Sequence, residues 1–233
     1  MPVNKPEETA GRRRITVAMI ARNEEGSIGL VINDIKRVVP EAEVLVVDSS
    51  SDRTAEIAES LGARVIRQYP PKGYGPAMDC ALRSSSGEVV VTMDCDGTYP
   101  AESIPLLASM VLGEGYDLVD GSRLEKKSEA MPWPNYLANL GFALLASLLF
   151  FRRFTDLHSG MRAYRKSMID RLSYQPRGAA LPVELLLKPV RMGYKVKVVY
   201  IDYRQRIGVS TMQPLSSAWW TLRRILAVRF GRT

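Results

Sequence analysis

Val89-Val90-Val91-Thr92-Met93-Asp94-Cys95-Asp96 is the stretch on which the fold turns. Its continuous β-branched run reads as a strand buried on both faces, the kind found inside a parallel sheet. Asp94 and Asp96 stand two residues apart, so in extended geometry their side chains leave the same face. A buried apolar strand tolerates two carboxylates only at its end, in a crevice, beside a counter-cation. The carboxyl edge of a parallel sheet is where open α/β proteins hold ligands. A hard, oxygen-ligated cation such as Mg²⁺ or Mn²⁺, shared with a substrate phosphate, suits this pair. The plainer alternative is that both aspartates merely cap the helix that follows.

Upstream, two more buried strands occur, one of them with a carboxylate at its tip. Ile15 to Ile20 reads as a strand, followed by the turn Ala21-Arg22-Asn23-Glu24-Glu25. Apolar residues at Ile28, Val31, Ile32, Ile35, Val38 and Val39 then repeat with helical period, and Pro40 ends the helix. Val44 to Val47 is a second buried strand tipped by a carboxylate, Asp48, before Ser49-Ser50-Ser51-Asp52-Arg53-Thr54. Ala55 to Leu61 forms a short helix closed by Gly62, and Val65 to Arg67 is a third strand. Strand, helix, strand, helix, strand implies a parallel sheet with right-handed crossovers. The first turn lacks G-x-G-x-x-G and no G-x-x-x-x-G-K-[ST] occurs, which disfavours dinucleotide-dependent redox chemistry and the NTPase phosphate loop. Lys72-Gly73-Tyr74-Gly75-Pro76 is a glycine-bearing loop that opens a helix, able to approach a phosphate or to serve as a turn.

Downstream, Pro100 starts a helix from about Ala101 to Leu112, and Leu118 to Asp120 leads to Gly121-Ser122-Arg123. Leu124 to Pro134 reads as a mobile connector, and Asn135 to Phe151 as a helix apolar almost all round that ends in Arg152-Arg153. Phe154 to His158 is a loop holding Asp156 and the single histidine, here expected on the surface. Ser159-Gly160-Met161-Arg162-Ala163-Tyr164-Arg165 alternates as a strand, and Ser167 with Asp170 has capping-box spacing. Glu184 lies near the start of a helix over Pro182 to Met192, where a carboxylate is also favoured electrostatically. Val196 to Tyr203 is a strand, and Arg204 to Pro214 a loop. The tail from Leu215 to Phe230 mixes Trp219, Trp220 and Phe230 with Arg223, Arg224 and Arg229. Such a tail fits a membrane interface or a core equally.

The 233 residues carry a net charge of +7, 46% hydrophobic and 24% charged residues, the balance of a globular chain with an anionic partner. Cys80 and Cys95 have no disulfide or metal spacing and read as small core residues of a reducing compartment. Met1 to Arg14 is polar and basic without the apolar core of a secretory signal, and no apolar run is expected to span a bilayer.

Taken in order, Asn23-Glu24, Asp48 with Asp52 and Thr54, Lys72-Gly73, Asp94-Cys95-Asp96, Gly121-Ser122-Arg123, Ser159-Gly160-Met161-Arg162, Glu184 and Arg206-Ile207-Gly208-Val209-Ser210 resemble the family 2 glycosyltransferases with the GT-A fold. The pattern looks most like the polyprenyl-phosphate (dolichyl-phosphate) mannose and glucose synthases. The resemblance implies a flexible basic arm over 1–14, a GT-A domain over 15–212 and an amphipathic C-terminal helix over 213–233. It further implies a mostly parallel sheet flanked by helices. Ala21, Asn23, Glu24, Asp48, Lys72, Asp94, Cys95 and Asp96 would line the nucleotide-sugar pocket, with Asp48 at the base or ribose. Asp94 and Asp96 would hold the divalent ion. Arg123, Arg162 and Arg206 would meet donor or acceptor phosphates, and Glu184 would face the sugar. The family's second turn aspartate is Ser49 here, and its loop lysine is Thr211.

The resemblance implies an inverting, metal-dependent hexosyltransferase that uses a nucleotide diphosphosugar of the UDP-glucose or GDP-mannose type. Its acceptor would be a polyprenyl phosphate, met by a peripheral enzyme at the cytoplasmic face of the cell membrane. A lipid phosphate is already an anion and needs no general base, whereas a hydroxyl acceptor needs one, with Asp156, Glu184 and His158 as candidates. A soluble or polymeric hydroxyl acceptor and a non-catalytic nucleotide-sugar-binding module are the other readings. No nucleic-acid-reading motif is present, and a homo-oligomer is left open.

Overall fold

The alternation expected of the first half is there. In the computed structural model, which describes residues 14–125, 127–208 and 214–231, β1 (Ile15–Ala21), α1 (Ile28–Val38), β2 (Glu43–Asp48), α2 (Thr54–Ser60), β3 (Arg64–Arg67), α3 (Tyr74–Ser84) and β4 (Val89–Thr92) follow one another. A single 3-10 turn, Ala101–Ser103, leads into α4 (Ile104–Leu112). Then come β5 (Leu118–Ser122), α5 (Trp133–Phe150), β6 (Arg162–Arg165), α6 (Lys166–Arg171), α7 (Leu181–Arg191), β7 (Val196–Tyr200) and α8 (Pro214–Phe230). Most of the basic arm, and with it Val209, Ser210 and Thr211, lies outside the described residues.

The strands form one sheet in the order β3-β2-β1-β4-β6-β5-β7. Only β6 runs against its neighbours, with Arg162 opposite Thr92 on one side and Asp120 on the other. Alternation along the strands sends side chains to two separate cores. Val17, Met19, Val44, Val46 and Val91 meet α1 and α4 on one face. Ala18, Val47, Val90, Leu118 and Tyr164 meet α3, α7 and α8 on the other. Helix α1 sits where it does because Ile28, Val31, Ile32 and Ile35 form one stripe, all buried. Each such side chain contributes about 1.5–3 kcal/mol on leaving water. Helix α8 also reaches the core, through Ile225 and Val228.

Four expectations are corrected. The 124–134 segment is pinned rather than mobile: Leu124 and Met131 are buried, and Ser128 Oγ donates to the Tyr203 carbonyl at 2.8 Å. Helix α6 has no side-chain cap; Asp170 pairs with Lys166 instead. Cys80 is only half-buried, although Cys95 is in the core. Helix α5 is an 18-residue segment of mean hydropathy 1.2, long and apolar enough by length and composition to cross a membrane. Yet it buries fully only Ala143 and Ala146, and it exposes Trp133, Leu137, Leu144, Leu148 and the following Phe151.

Candidate active site

The two acidic tips share one edge. Asp48 ends β2 opposite Ala21, the last residue of β1, and β4 lies on the other side of β1 with Thr92 opposite Ala18. Beyond Thr92 the chain continues along β1: the Met93 amide donates to the Ala18 carbonyl, and Cys95 Sγ lies 3.4 Å from the Ile20 carbonyl. Parallel pairing therefore carries Asp48, Asp94 and Asp96 to the same carboxyl edge, with the 21–25 turn between them.

The turns at this edge are stitched together by short polar side chains. Ser50 donates to Asp48 through its amide (3.1 Å) and hydroxyl (2.6 Å). Asn23 adopts φ +58°, a region Asn tolerates, and its Oδ1 accepts from the Ser51 amide at 2.9 Å. Thr54 Oγ1 accepts from the Glu24 amide at 2.8 Å. Serine and threonine recur through residues 49–54 because they satisfy turn amides that no helix or strand reaches.

Asp96 is buried; its Oδ1 accepts from the Thr98 amide and hydroxyl, and its Oδ2 meets Arg206 Nη1 at 2.8 Å. Arg206 Nη2 also reaches Glu24 Oε1 at 2.9 Å, while its buried Nε has no partner among the described residues. Burial raises the Glu24 carboxyl above its ordinary value, against the pull of Arg206. Asp94 accepts no hydrogen bond among the described residues. Burial, and then the nearby Asp96, push it up to about 7. A carboxylate this reluctant to ionise alone fits a cation seat. Gly160 makes the room: a Cβ there would lie 3.0 Å from Asp94 Oδ1. The Gly160 amide donates to Tyr99 Oη at 2.7 Å, and its carbonyl accepts from Thr92 Oγ1 at 2.8 Å. Among the described residues no three His, Cys, Asp or Glu side chains converge on one point. A divalent ion held by Asp94 and Asp96 would thus complete its shell with phosphate oxygens and water.

Arg123 lies close enough to Asp94 for its positive charge to act on that carboxyl. Its Nε and Nη2 grip Asp156 at 2.7 and 3.0 Å, and its guanidinium lies over the Tyr203 ring, 5.2 Å from the centroid. Burial opposes charge on Asp156, but Arg123 holds the carboxyl down at about 2. Asp156 is thus held as a carboxylate paired with Arg123. His158 is also not a surface residue. Its Nε2 lies 2.8 Å from Thr221 Oγ1, its ring meets Phe142 edge-on, and burial lowers its pKa to about 4.

Two more placements differ from expectation. Arg162 is wholly buried: Nε meets Asp120 at 2.6 Å, and the other nitrogens donate to the Pro182 and Leu157 carbonyls. Its donors are spent on the core, where they tie β6 to Asp120 of β5, to Pro182 of α7 and to the Leu157 carbonyl. Glu184 is held by Arg224 and Gln175 and lies within 3.7 Å of Lys188, in a separate cavity beneath α8. Lys72 is exposed before Gly73, the residue preceding α3. Sequence reasoning missed Tyr99, Tyr203 and Asp120. Only Asp120 carried a signal, a carboxylate inside an otherwise apolar strand.

The family model for "Glycosyl transferase family 2" matches residues 16–173. The chain is 42% identical over 203 residues to a dolichyl-phosphate hexose transferase of Haloferax volcanii, covering 87% of this chain and 88% of that one. It is 29% identical over 214 residues to an undecaprenyl-phosphate mannosyltransferase of Micrococcus luteus, covering 85% and 87%. Its fold is similar to glucosyl-3-phosphoglycerate synthase from Mycobacterium tuberculosis in complex with Mn²⁺, uridine diphosphate and glucosyl-3-phosphoglycerate. That likeness has a TM-score of 0.74 at 25% identity and covers 95% of this chain and 81% of that one.

Proposed function

This chain belongs to glycosyl transferase family 2, and from that premise we propose that it moves a hexose from a nucleotide diphosphosugar to a polyprenyl phosphate, with inversion at the anomeric carbon. The observation that carries the proposal is the shared edge of Asp48, Asp94 and Asp96, bordered by Arg123 and Arg206. Asp48, Asn23 and Ala21 would line the nucleoside end. Asp94 and Asp96 would hold Mg²⁺ or Mn²⁺, which when bound neutralises charge growing on the departing diphosphate. Arg206 already lies against Asp96 and Glu24, so it is placed to exchange a carboxylate for a phosphate oxygen. An acceptor phosphate oxygen attacks the anomeric carbon, the bond to the diphosphate breaks, and its electron pair leaves with the nucleoside diphosphate.

This acceptor needs no proton removed, and the site matches that. Asp156 is held by Arg123, Glu184 by Arg224, and His158 is occupied by Thr221. The exposed stripe Trp133, Leu137, Leu144 and Leu148 on α5, with Phe151 just after it and Trp219, Trp220 and Phe230 on α8, supports peripheral contact with a membrane. Two free cysteines favour its cytoplasmic face.

The likeness to glucosyl-3-phosphoglycerate synthase favours a second reading, a small soluble acceptor. Then Asp94, which accepts no hydrogen bond among the described residues, would have to take the proton as well as meet the ion. Labelled UDP-glucose and GDP-mannose, offered with a short polyprenyl phosphate or with 3-phosphoglycerate, in Mn²⁺ or EDTA, separate the readings. The expected product is the lipid-linked hexose, formed only with metal and reduced at least 10²-fold by Asp96→Ala. Transfer only to 3-phosphoglycerate would replace the lipid reading with the second one.

A further inference from the structure

A cavity of about 790 Å³ lies between α7, α8 and the 173–178 segment, and it shares no lining residue with the acidic edge. Among the described residues, Arg177, Lys188, Arg191, Arg223 and Arg224 line it against one carboxylate, Glu184. Two of the five cations are fixed from behind. Arg224 is tied to Glu184 and to the Gln175 and Arg177 carbonyls, and Arg191 donates to the Val228 and Gly231 carbonyls. Hydrogen bonds to neutral carbonyls orient a guanidinium without cancelling its charge. Lys188 and Arg224, with side chains only 16% and 12% exposed, both pair with Glu184, which offsets one of their two charges, and water screens the remainder poorly. A low-dielectric wall around an excess of like charge focuses field and draws in a counter-ion. Guanidinium forks beside a lysine ammonium match the several oxygens of a phosphate group.

We propose that this cavity is a phosphate-group site, distinct from the donor cleft and independent of which acceptor the enzyme uses. Trp220 forms part of its rim, and Trp219, Trp220 and Phe230 are exposed on the same helix. A lipid head group and free phosphate present the same oxygens, and the test separates them.

The full chain, in EDTA and without nucleotide, is melted with increasing inorganic phosphate at constant ionic strength set by chloride. It is also sedimented with vesicles of phosphatidylcholine alone or with added phosphatidylglycerol. The wild type is compared with Lys188→Gln/Arg223→Gln, with Arg177→Gln in case the double variant folds poorly, and with Arg37→Gln as a control on the distant α1. Expected is a phosphate-dependent rise in midpoint for wild type and Arg37→Gln that needs about tenfold more phosphate in the cavity variants. Matching loss of binding to phosphatidylglycerol vesicles names a lipid head group; a lost phosphate response with unchanged vesicle binding names free phosphate. Equal responses in all variants, or none in the wild type, overturn the proposal. Hexose transfer measured on the same variants reports separately on the acidic cleft.

Discussion

Arg162 and Asp120 show how one residue type serves two ends. Both are arginine–carboxylate neighbours of the cleft, like Arg206 with Asp96, but Arg162 and Asp120 are each about 1% exposed while Arg206 is 31% exposed. A buried pair is costly to break from one side and cheap to replace as a whole. We expect Arg162→Met to lower stability by about 3–5 kcal/mol, and Arg162→Met/Asp120→Leu to recover most of it with transfer within about tenfold of wild type. Denaturant melts with transfer assays check this; a stable double variant without activity would return Arg162 to the phosphates. His158 gives a pH test. The folded imidazole binds its proton more weakly than the ordinary histidine of the unfolded chain, so protons favour unfolding. Stability is full above about pH 6.5 and falls as pH drops towards about 4. His158→Gln should flatten that part of the melting-midpoint profile, and an imidazole titrating near pH 6.5 by NMR would contradict it. The sequence put the strand tips that carry Asp48, Asp94 and Asp96 at one carboxyl edge, as the strand pairing has them, because a strand's direction fixes its tip. It misplaced Arg162, Glu184 and His158 because partner choice among arginines and carboxylates depends on contacts far apart in the chain, 42 residues for Arg162 and Asp120.

Among the elements, β1, β2 and β4 were readable from valine runs and closing carboxylates. The antiparallel insertion of β6 between β4 and β5 was not, since an alternating segment carries no mark of its direction. Helix α5 was read as apolar all round, but its packing gives it two sides, Ala143 and Ala146 inward and leucines outward. Leu144→Asp/Leu148→Asp removes exposed apolar area and touches no core residue. It should cut sedimentation with phospholipid vesicles about tenfold or more while leaving the melting midpoint within a degree or two. Unchanged vesicle binding would remove α5 from the membrane face. Truncating α8 is a poorer test, since Ile225 and Val228 belong to the core and their loss unfolds what it is meant to probe.

For the molecule as a whole, the sheet order brings two carboxylate-tipped strands to either side of β1, and the turns between them are closed by serines, threonines and Asn23. The proposed function rests on that placement: carboxylates crowded at one edge, Asp94 pushed up to about 7, would be settled by a cation entering with a diphosphate. The most direct measurement is electron paramagnetic resonance of free Mn²⁺ titrated with the protein, with and without UDP or GDP. Wild type should take up Mn²⁺ far more strongly when one of the nucleotides is present, and Asp94→Asn/Asp96→Ala should abolish that nucleotide-linked uptake while the chain remains folded. Equal nucleotide-linked uptake by the double variant would contradict the assignment of the cation to these two strand tips.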